Sequence, residues 1–539
     1  MRKLIFLLLL INVSLSVKGQ TQFQSAIGGT SNDQAYSITR TLDSGCAVTG
    51  YTSSFGVGNG NEDVYIIKLR SNGTLQWSKT LGGAGDDYGR SIIQTTDGGY
   101  AVAGYTASFG ASGNDMLIAK LNAGGTLQWS RTFGEMGDDL AYSIIQTLDG
   151  GYAVAGYTES FGGGGKDMYI IKLDAGGTLQ WSKTVGGTND DLAYSIIQTT
   201  DGGYTAAGYT ASSGVGGNNM YVVKLDAGGS LLWNKTIGGP LDDQAYSIIQ
   251  TADNGYAISG HTTSFGAGSS DIYIVKLDNS GTFLWSKAIG GTLFDDGDGG
   301  IIQTADGGYL VSGRSFSFTS SGDDVYIVKI DSIGTLLWSK VAGLSTGFED
   351  GDGGIIQTMD GGYLVTGGVN SYGSGGVDIS FEKFNSSFVT CGNSSSPVSS
   401  IASPGNILVS PSFISVNCST IINIPSLITG TGGTLITNCT TIGIQLISNE
   451  VPKEFSLSQN YPNPFNPVTK ISFEISKSSS VMITVFDMTG KEVDVLVNET
   501  LQAGTYHTDW NASAFPSGVY FYRMQAEGYS ETRKMMLVR

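Results

Sequence analysis

The chain has 539 residues, of which 80 are glycine and two are histidine, and it carries a formal charge of −18. An acidic chain with few basic clusters argues against a nucleic-acid partner. Two histidines, His261 and His507, in different domains, leave a His-based metal site or a His-dependent triad without enough partners. Four cysteines, Cys46, Cys391, Cys418 and Cys439, are too few and too scattered for a disulfide framework.

Residues 1–19 carry Arg2 and Lys3, an unbroken apolar run at 4–11 and small residues near Gly19, the pattern of a secretory signal removed before Gln20. No cysteine follows the run where a lipid could be attached, and no later stretch is apolar enough to cross a bilayer.

From about residue 20 to 390 the chain repeats itself. Trp77, Trp129, Trp181, Trp233, Trp285 and Trp338 recur at spacings of 52 or 53 residues, a period that signals a repeat architecture. In the unit at 139–191, four runs (142–147, 152–158, 168–174 and 178–185) alternate apolar and polar or are rich in β-branched and aromatic residues. Asp149-Gly150-Gly151, Gly162–Gly165 and Ala175-Gly176-Gly177 separate them with turn chemistry. Four antiparallel strands per unit is the content of a propeller blade. The Asp-x-Gly turn occurs seven times, at Asp43, Asp97, Asp149, Asp201, Asp253, Asp306 and Asp360, but the tryptophan strand only six. The segment 21–29 (TQFQSAIGG) matches 179–187 (LQWSKTVGG), with Phe23 in the place of Trp181. The expectation is an all-β chain whose seven-bladed propeller is closed by its N-terminal strand, which removes exposed sheet edges.

Each third strand carries a lysine (Lys68, Lys120, Lys172, Lys224, Lys276, Lys329, Lys383), and each first strand follows an acidic pair such as Asp138-Asp139. Charges repeated in every unit read as ion pairs or turn bonds that hold neighbouring blades in register. Cys46 stands where other units have tyrosine and reads as a small buried hydrophobe. The stretch Lys172-Leu173-Asp174-Ala175-Gly176-Gly177 through Trp181 resembles the repeat of pyrroloquinoline-quinone-type propellers. That resemblance implies tryptophan docking between blades and carries no cofactor ligands.

The units differ at two places. The first strand reads Ala35-Tyr36, Gly89-Arg90, Ala141-Tyr142, Ala193-Tyr194 and Ala245-Tyr246, then Asp298-Gly299 and Asp352-Gly353. The second strand ends on Tyr51, Tyr105, Tyr157 and Tyr209, then on His261, Arg314 and Gly368. Asp298, Asp352, His261 and Arg314 are therefore the candidate ligand-binding residues, near an axis lined by first strands. Asp296, Asp298, Asp350 and Asp352 have the oxygen density calcium needs, without the spacing of an EF-hand loop. No other cofactor is expected.

Between Cys391 and Val451 the period stops, and short β-like runs in a Ser/Thr/Gly-rich background suggest a linker, either a small β layer or an extended stalk, over 391–452. A Cys418–Cys439 bridge would fit there. The final segment, 453–539, opens FSLSQNYPNPFNP at 455–467 and continues with alternating strands and glycine turns, the pattern of a β-sandwich, here taken as Ig-like. It resembles the type A C-terminal sorting domain of the type IX secretion system, on Pro462, Asn463, Pro464, Phe465, Asn466, Pro467, Gly490, Gly518 and Tyr520. The resemblance implies recognition by the type IX translocon after passage through the periplasm, and a secreted or outer-surface location. The reading is a non-enzymatic binding protein for an extracellular glycan or protein. Its rivals are a carbohydrate-active lyase or hydrolase using the carboxylates above, and a structural surface component.

Overall fold

A computed structural model describes residues 22–538 apart from 57–61, 319–321, 343–350, 371–372, 389–393, 396–399, 403–406, 410–413, 417–420, 424–427, 431–433, 442–444, 449–451 and 513–514. For strands within 394–448, and at 499–500, it describes backbone alone. The expected signal sequence and Cys418 lie outside the described residues, and among the described residues no helix is long and apolar enough to cross a membrane. The described chain is all strand and turn, and it divides into two compact units, Phe23–Cys439 and one formed chiefly by Thr440–Arg539.

The first unit holds seven five-stranded antiparallel sheets. Sheets one to six span 33–82, 87–134, 139–186, 191–238, 243–290 and 295–342, and sheet seven is built on 354–384. In sheet three the strands are Asp139–Gln146, Tyr152–Thr158, Asp167–Leu173 and Leu179–Gly186. Its third strand is buried at every position, because both faces are covered: Val154, Tyr169 and Ile171 pack toward sheet two, while Ala153, Met168 and Ile170 pack toward sheet four. This explains why third strands read as continuous apolar runs.

The lysine within each third strand bonds the Asp-x-Gly turn of its own sheet. Lys172 Nζ lies 2.9 Å from Asp149, and the other six lysines repeat the pair at 2.8–3.0 Å. The expectation that these lysines join neighbouring sheets is corrected, since each pair spans one hairpin. The acidic pair does bridge sheets, as where Asp138 accepts the Asn114 N–H at 2.9 Å and Asp190 accepts the Lys166 N–H at 3.0 Å.

Sheet seven lacks a tryptophan strand of its own and takes Gln22–Gly28 instead, pairing Phe23 with Lys383 and Ile27 with Ile379. The register matches Trp181 with Lys172 in sheet three. Apart from Trp338, which meets Phe388, the ring of each docking aromatic lies against a glycine turn of the next sheet: a Cβ on Gly177 would fall 2.9 Å from Trp129, and one on Gly73 would fall 2.8 Å from Phe23. Both glycines have positive φ, so no other residue fits the turn and the contact together. Phe23, Ile27, Ile379 and Phe381 share a core with Cys46, Val48, Tyr65 and Ile67 of sheet one. Cys46 is buried there, its thiol pushed up to about 12 by burial, as a packing residue and not a nucleophile.

The segment read as a stalk or separate layer instead supplies the fifth strand of each sheet. Ser394–Ser395, Ser400–Ala402, Ile407–Val409, Ile414–Val416, Ile421–Asn423 and Ile428–Gly430 pair with the outer strands of sheets six, five, four, three, two and one in turn, and Thr434–Thr441 joins sheet seven. Strand starts at 407, 414, 421 and 428 step by seven residues, an extended reach of roughly 23–25 Å. The segment thus runs back past every sheet and caps one end of each outer edge.

The second unit has two four-stranded sheets facing one core of Ile471, Phe473, Val481, Ile483, Trp510, Tyr520, Tyr522 and Leu537 among others. Alternating burial along Val468–Ile475 gives one face to the core and one to solvent.

Buried carboxylates meet at the junctions between sheets. Asp115 opens a third strand and Asp139 the next first strand, and Gly134 sits between them; a Cβ there would fall 2.2 Å from one and 2.6 Å from the other. Burial raises Asp115, Asp167, Asp271 and Asp378 to about 6, while Asn219 occupies this place in sheet four. The folded state therefore holds protons that the unfolded state releases between the ordinary carboxylate range and pH 6, and their stabilisation is lost as pH rises through 6. The turn aspartates act oppositely: bonds from Lys172 and Thr147 hold Asp149 at about 2, so its contribution disappears as pH falls through that value.

Three outcomes are expected. The melting temperature should peak near about pH 4–5, and Asp115→Asn with Asp167→Asn should raise it at neutral pH and flatten its fall between pH 4 and 6, as followed by circular dichroism. Phe23→Ala should cost about 3–5 kcal/mol in denaturant unfolding through the cavity it leaves.

Candidate functional site at the meeting of the first strands

One cavity of about 220 Å³ is lined by the first strands of all seven sheets. In sheets one to five the register of the first strand shifts on either side of a single residue, between Ala35 and Ser37, Gly89 and Ser91, Ala141 and Ser143, Ala193 and Ser195, and Ala245 and Ser247. The bulge re-aims that residue, so Tyr36, Arg90, Tyr142, Tyr194 and Tyr246 line the cavity. The serine that follows ties each sheet to the next: the Oγ atoms of Ser37, Ser91, Ser143, Ser195 and Ser247 accept the N–H groups of Ile92, Ile144, Ile196, Ile248 and Ile301 at 3.2–3.4 Å.

The aromatic rings form a row. Tyr142 and Tyr194 lie 4.8 Å apart, Tyr194 and Tyr246 5.1 Å, and Tyr246 stands 5.5 Å from His261. The Arg90 guanidinium sits 3.8 Å over Tyr36, with Tyr88, Tyr105 and Tyr142 within 5.7 Å, and donates to the Tyr105 hydroxyl at 3.2 Å. Burial pushes these phenols well above their ordinary range.

Sheets six and seven depart from the pattern by insertion. Asp295 pairs with Ser315 and Asp296 with Arg314, as Asp243 pairs with Thr262 and Gln244 with His261. The pairing then resumes only at Gly300, so Gly297 takes the place of Ala245, and Asp298 and Gly299 together take that of Tyr246. The alignment of Asp298-Gly299 with Ala245-Tyr246 is thereby corrected by one residue. Gly299 also opens no space, because a Cβ there would fall 2.0 Å from the Gly351 carbonyl oxygen. The wide bulge of sheet six ends on Gly300, and in sheet seven the pairing begins at Gly354; these glycines have φ of 110° and 113°.

The predicted residues gather mainly beside sheet six. Arg314 reaches Asp296 at 3.7 Å, Asp298 at 3.6 Å and Asp323 at 3.7 Å, and its guanidinium lies 5.6 Å from the Phe294 ring. His261 Nδ1 is 3.6 Å from Asp296, whose carboxylate also accepts the Ser270 hydroxyl at 3.1 Å. Burial raises Asp296 to about 6 against the opposing pull of Arg314, and burial keeps His261 below its ordinary value, hence neutral. Asp352 accepts from Gln34 at 3.3 Å and lines the cavity together with Asp298. Asp296, Arg314 and His261 do not line it; they support the strand that carries Asp298. Asp350 lies outside the described residues, and among the described residues no three His, Cys, Asp or Glu side chains gather where they could hold a metal ion. The tyrosine row and Arg90 were not singled out from the sequence, although the recurring Ala-Tyr-Ser triplet marked their position.

In the second unit the proline-rich lead-in is strapped to the last strand. The Phe465 N–H donates to the Met536 carbonyl and the Val538 N–H to the Phe465 carbonyl, both at 3.0 Å, and Asn463 Oδ1 accepts the Met536 N–H at 3.0 Å. The Phe465 ring is buried 5.5 Å from Trp510. Pro462 gives its carbonyl to Asn460 and Thr469, Gly490 closes the Asp487 turn with φ of 81°, and the Tyr520 hydroxyl donates to Pro516 at 2.8 Å. Pro464, Asn466 and Pro467 belong to the same lead-in, and Gly518 begins the strand that holds Tyr520.

Among curated proteins, the regulatory protein FlaEY of Caulobacter vibrioides is 26% identical over 227 residues, 37% of this chain and 22% of that protein. The chain thus spans about a fifth of that relative's length. Among solved structures, PorZ, described as an essential bacterial surface component of the type-IX secretion system of Porphyromonas gingivalis, matches with a TM-score of 0.24 and 11% identity, covering 96% of this chain and 100% of that one. A tetra-tandem repeat from the extending region of a large adhesion protein matches with a TM-score of 0.14 and 13% identity, covering 88% and 95%. Likeness at this level carries no argument about fold or role. Residues 459–538 match the model of the secretion system C-terminal sorting domain family, and the protein is secreted or displayed on the cell surface.

Proposed function

We propose that the protein is a seven-bladed β-propeller that binds an extracellular ligand, exported through the periplasm by a signal sequence at 1–19 and then by the type IX translocon reading an Ig-like sorting domain. The observation that carries the binding role is the cavity bounded by all seven first strands, where five positions present tyrosine or arginine and two present carboxylates. The propeller reading is supported by seven like sheets, each packed on the next, with sheet seven packed on sheet one. The Ig-like reading is supported by two four-stranded sheets over one core. An enzyme of the lyase or hydrolase class would need a proton donor facing its substrate. Asp296, the carboxyl raised at this site, lies beneath the cavity against Ser270 and His261, which favours binding over catalysis.

Deleting 453–539 should leave the protein in the periplasm, read by fractionation and immunoblot; export at the normal level would refute the sorting role. For binding, the parent, Asp298→Asn with Asp352→Asn, and the turn control Asp174→Asn are compared on glycan arrays, against immobilised extracellular protein extract and with calcium. Retention should fall at least about tenfold in the double variant alone. Equal retention in all three would place the site elsewhere.

A further inference from the structure

Resting on the binding role of the cavity, we infer that its ligand presents a guanidinium or primary ammonium group, held by the faces of the tyrosine row and by Asp298 and Asp352. The row already solvates one such group. The Arg90 guanidinium lies 3.8 Å over Tyr36 and within 5.7 Å of Tyr88, Tyr105 and Tyr142, a stacked arrangement in which the ring faces attract a planar cation. Farther along the same row, the Tyr194 and Tyr246 rings lie 5.1 Å apart, tilted by 47°, with no arginine of their own sheets between them.

Charge at this end has the opposite sign. Around sheet six stand the carboxylates Asp296, Asp298 and Asp323, with Asp352 contributed by sheet seven, and Arg314 faces all four. His261 is neutral at physiological pH. With every carboxylate ionised, four negative charges surround one positive charge in a sector where burial weakens solvent screening. The Tyr246 phenol reports the same field: burial, then Asp296 and Asp298, keep it protonated. Such a field repels uronic or sulfated sugars and favours a cation.

The placement of the carboxylates supports this reading. Asp298 and Asp352 occupy, on two adjacent sheets, the position that presents tyrosine or arginine on the other five, and each is followed two residues on by a glycine of positive φ, Gly300 or Gly354. These glycines stand where the serine that ties sheet to sheet is found elsewhere. Two carboxylates are thus held at the cavity wall at the expense of two inter-sheet bonds. A volume of about 220 Å³ admits a group the size of one arginine or lysine side chain, as borne by a polyamine or an exposed peptide residue.

Full-length protein is titrated calorimetrically with agmatine, with its neutral counterpart butylurea, with calcium chloride and with galacturonate. Agmatine should bind one site per chain and weaken as salt rises, and butylurea should not bind. Asp298→Asn with Asp352→Asn should weaken agmatine at least about tenfold, Tyr246→Leu several-fold and Tyr246→Phe little, because the phenyl face suffices. Near-ultraviolet circular dichroism verifies that each variant is folded, and the conservative Asn and Phe changes keep the comparison available if Leu disrupts packing. Equal binding of agmatine and butylurea, agmatine binding that survives the double Asn change, or calcium as the sole bound probe would overturn the inference. If galacturonate or a neutral array glycan binds and is lost in the double variant, the cavity remains the binding site and the cationic ligand class falls. If no probe and no array ligand responds to any cavity change, both readings fall together.

Discussion

The packing of sheet seven, completed by the N-terminal strand, on sheet one is the constraint on which the rest of the first unit depends. In every other sheet the four repeat strands come from one continuous piece of chain, and sheets one to five dock on the next through a tryptophan ring seated on a glycine turn, with Trp338 of sheet six set against Phe388 instead. Sheet seven is made from two pieces more than 300 residues apart in sequence, joined by pairs such as Gln24 with Glu382. The Gln24 side-chain amide also donates to the Glu382 carboxylate at 2.8 Å within a fully buried setting. Phe23 substitutes for tryptophan without loss of the docking contact, because the Gly73 turn accepts either ring. Closing the succession leaves no sheet face of the repeat unit without a neighbour, which is why third strands can be buried on both sides.

The same closure explains where chemistry can reside. Bulges that would be incidental in an open sheet converge here, since every first strand reaches one cavity. The five of sheets one to five are identical in form, and their serines lock adjacent sheets together. Sheets six and seven have glycine in place of that serine and present carboxylates. Departure from a repeat rule beside the point of closure, at a cost in inter-sheet bonding, is the pattern expected when function and stability compete for one position.

The fifth strands add a second closure of a different kind. The segment 394–441 pairs through short strands, spaced mostly seven residues apart, with successive outer edges, in the order opposite to that in which sheets six to one follow in the chain. In sheets one to six the remaining part of the outer strand carries a lysine or arginine, such as Lys79, Arg131 and Lys183, which discourages pairing with another chain.

Much of this was legible in the sequence. The tryptophan period, four strands per unit, the absent seventh tryptophan strand and its counterpart at 21–29 are local facts about spacing and alternation, and local hydrogen bonding and burial follow from them directly. The sorting tail was legible too, in its proline-rich lead-in and glycine turns. The site was half legible: Asp298 and Asp352 stand out because they break a repeat, but the Ala-Tyr-Ser triplet hides its tyrosine among residues that look like any strand. The 53-residue step between Trp285 and Trp338 recorded the inserted residue of sheet six, yet a one-residue insertion has no defined position until cross-strand pairing assigns it. Tertiary structure alone decided that each lysine bonds its own hairpin, that Gly299 is filled by the Gly351 carbonyl, and that 394–441 lies along the sheets. In each case the partner is remote in sequence, and the contact exists only because packed sheets bring their edges and bulges together; alternation and period describe what one strand presents, not what it will meet.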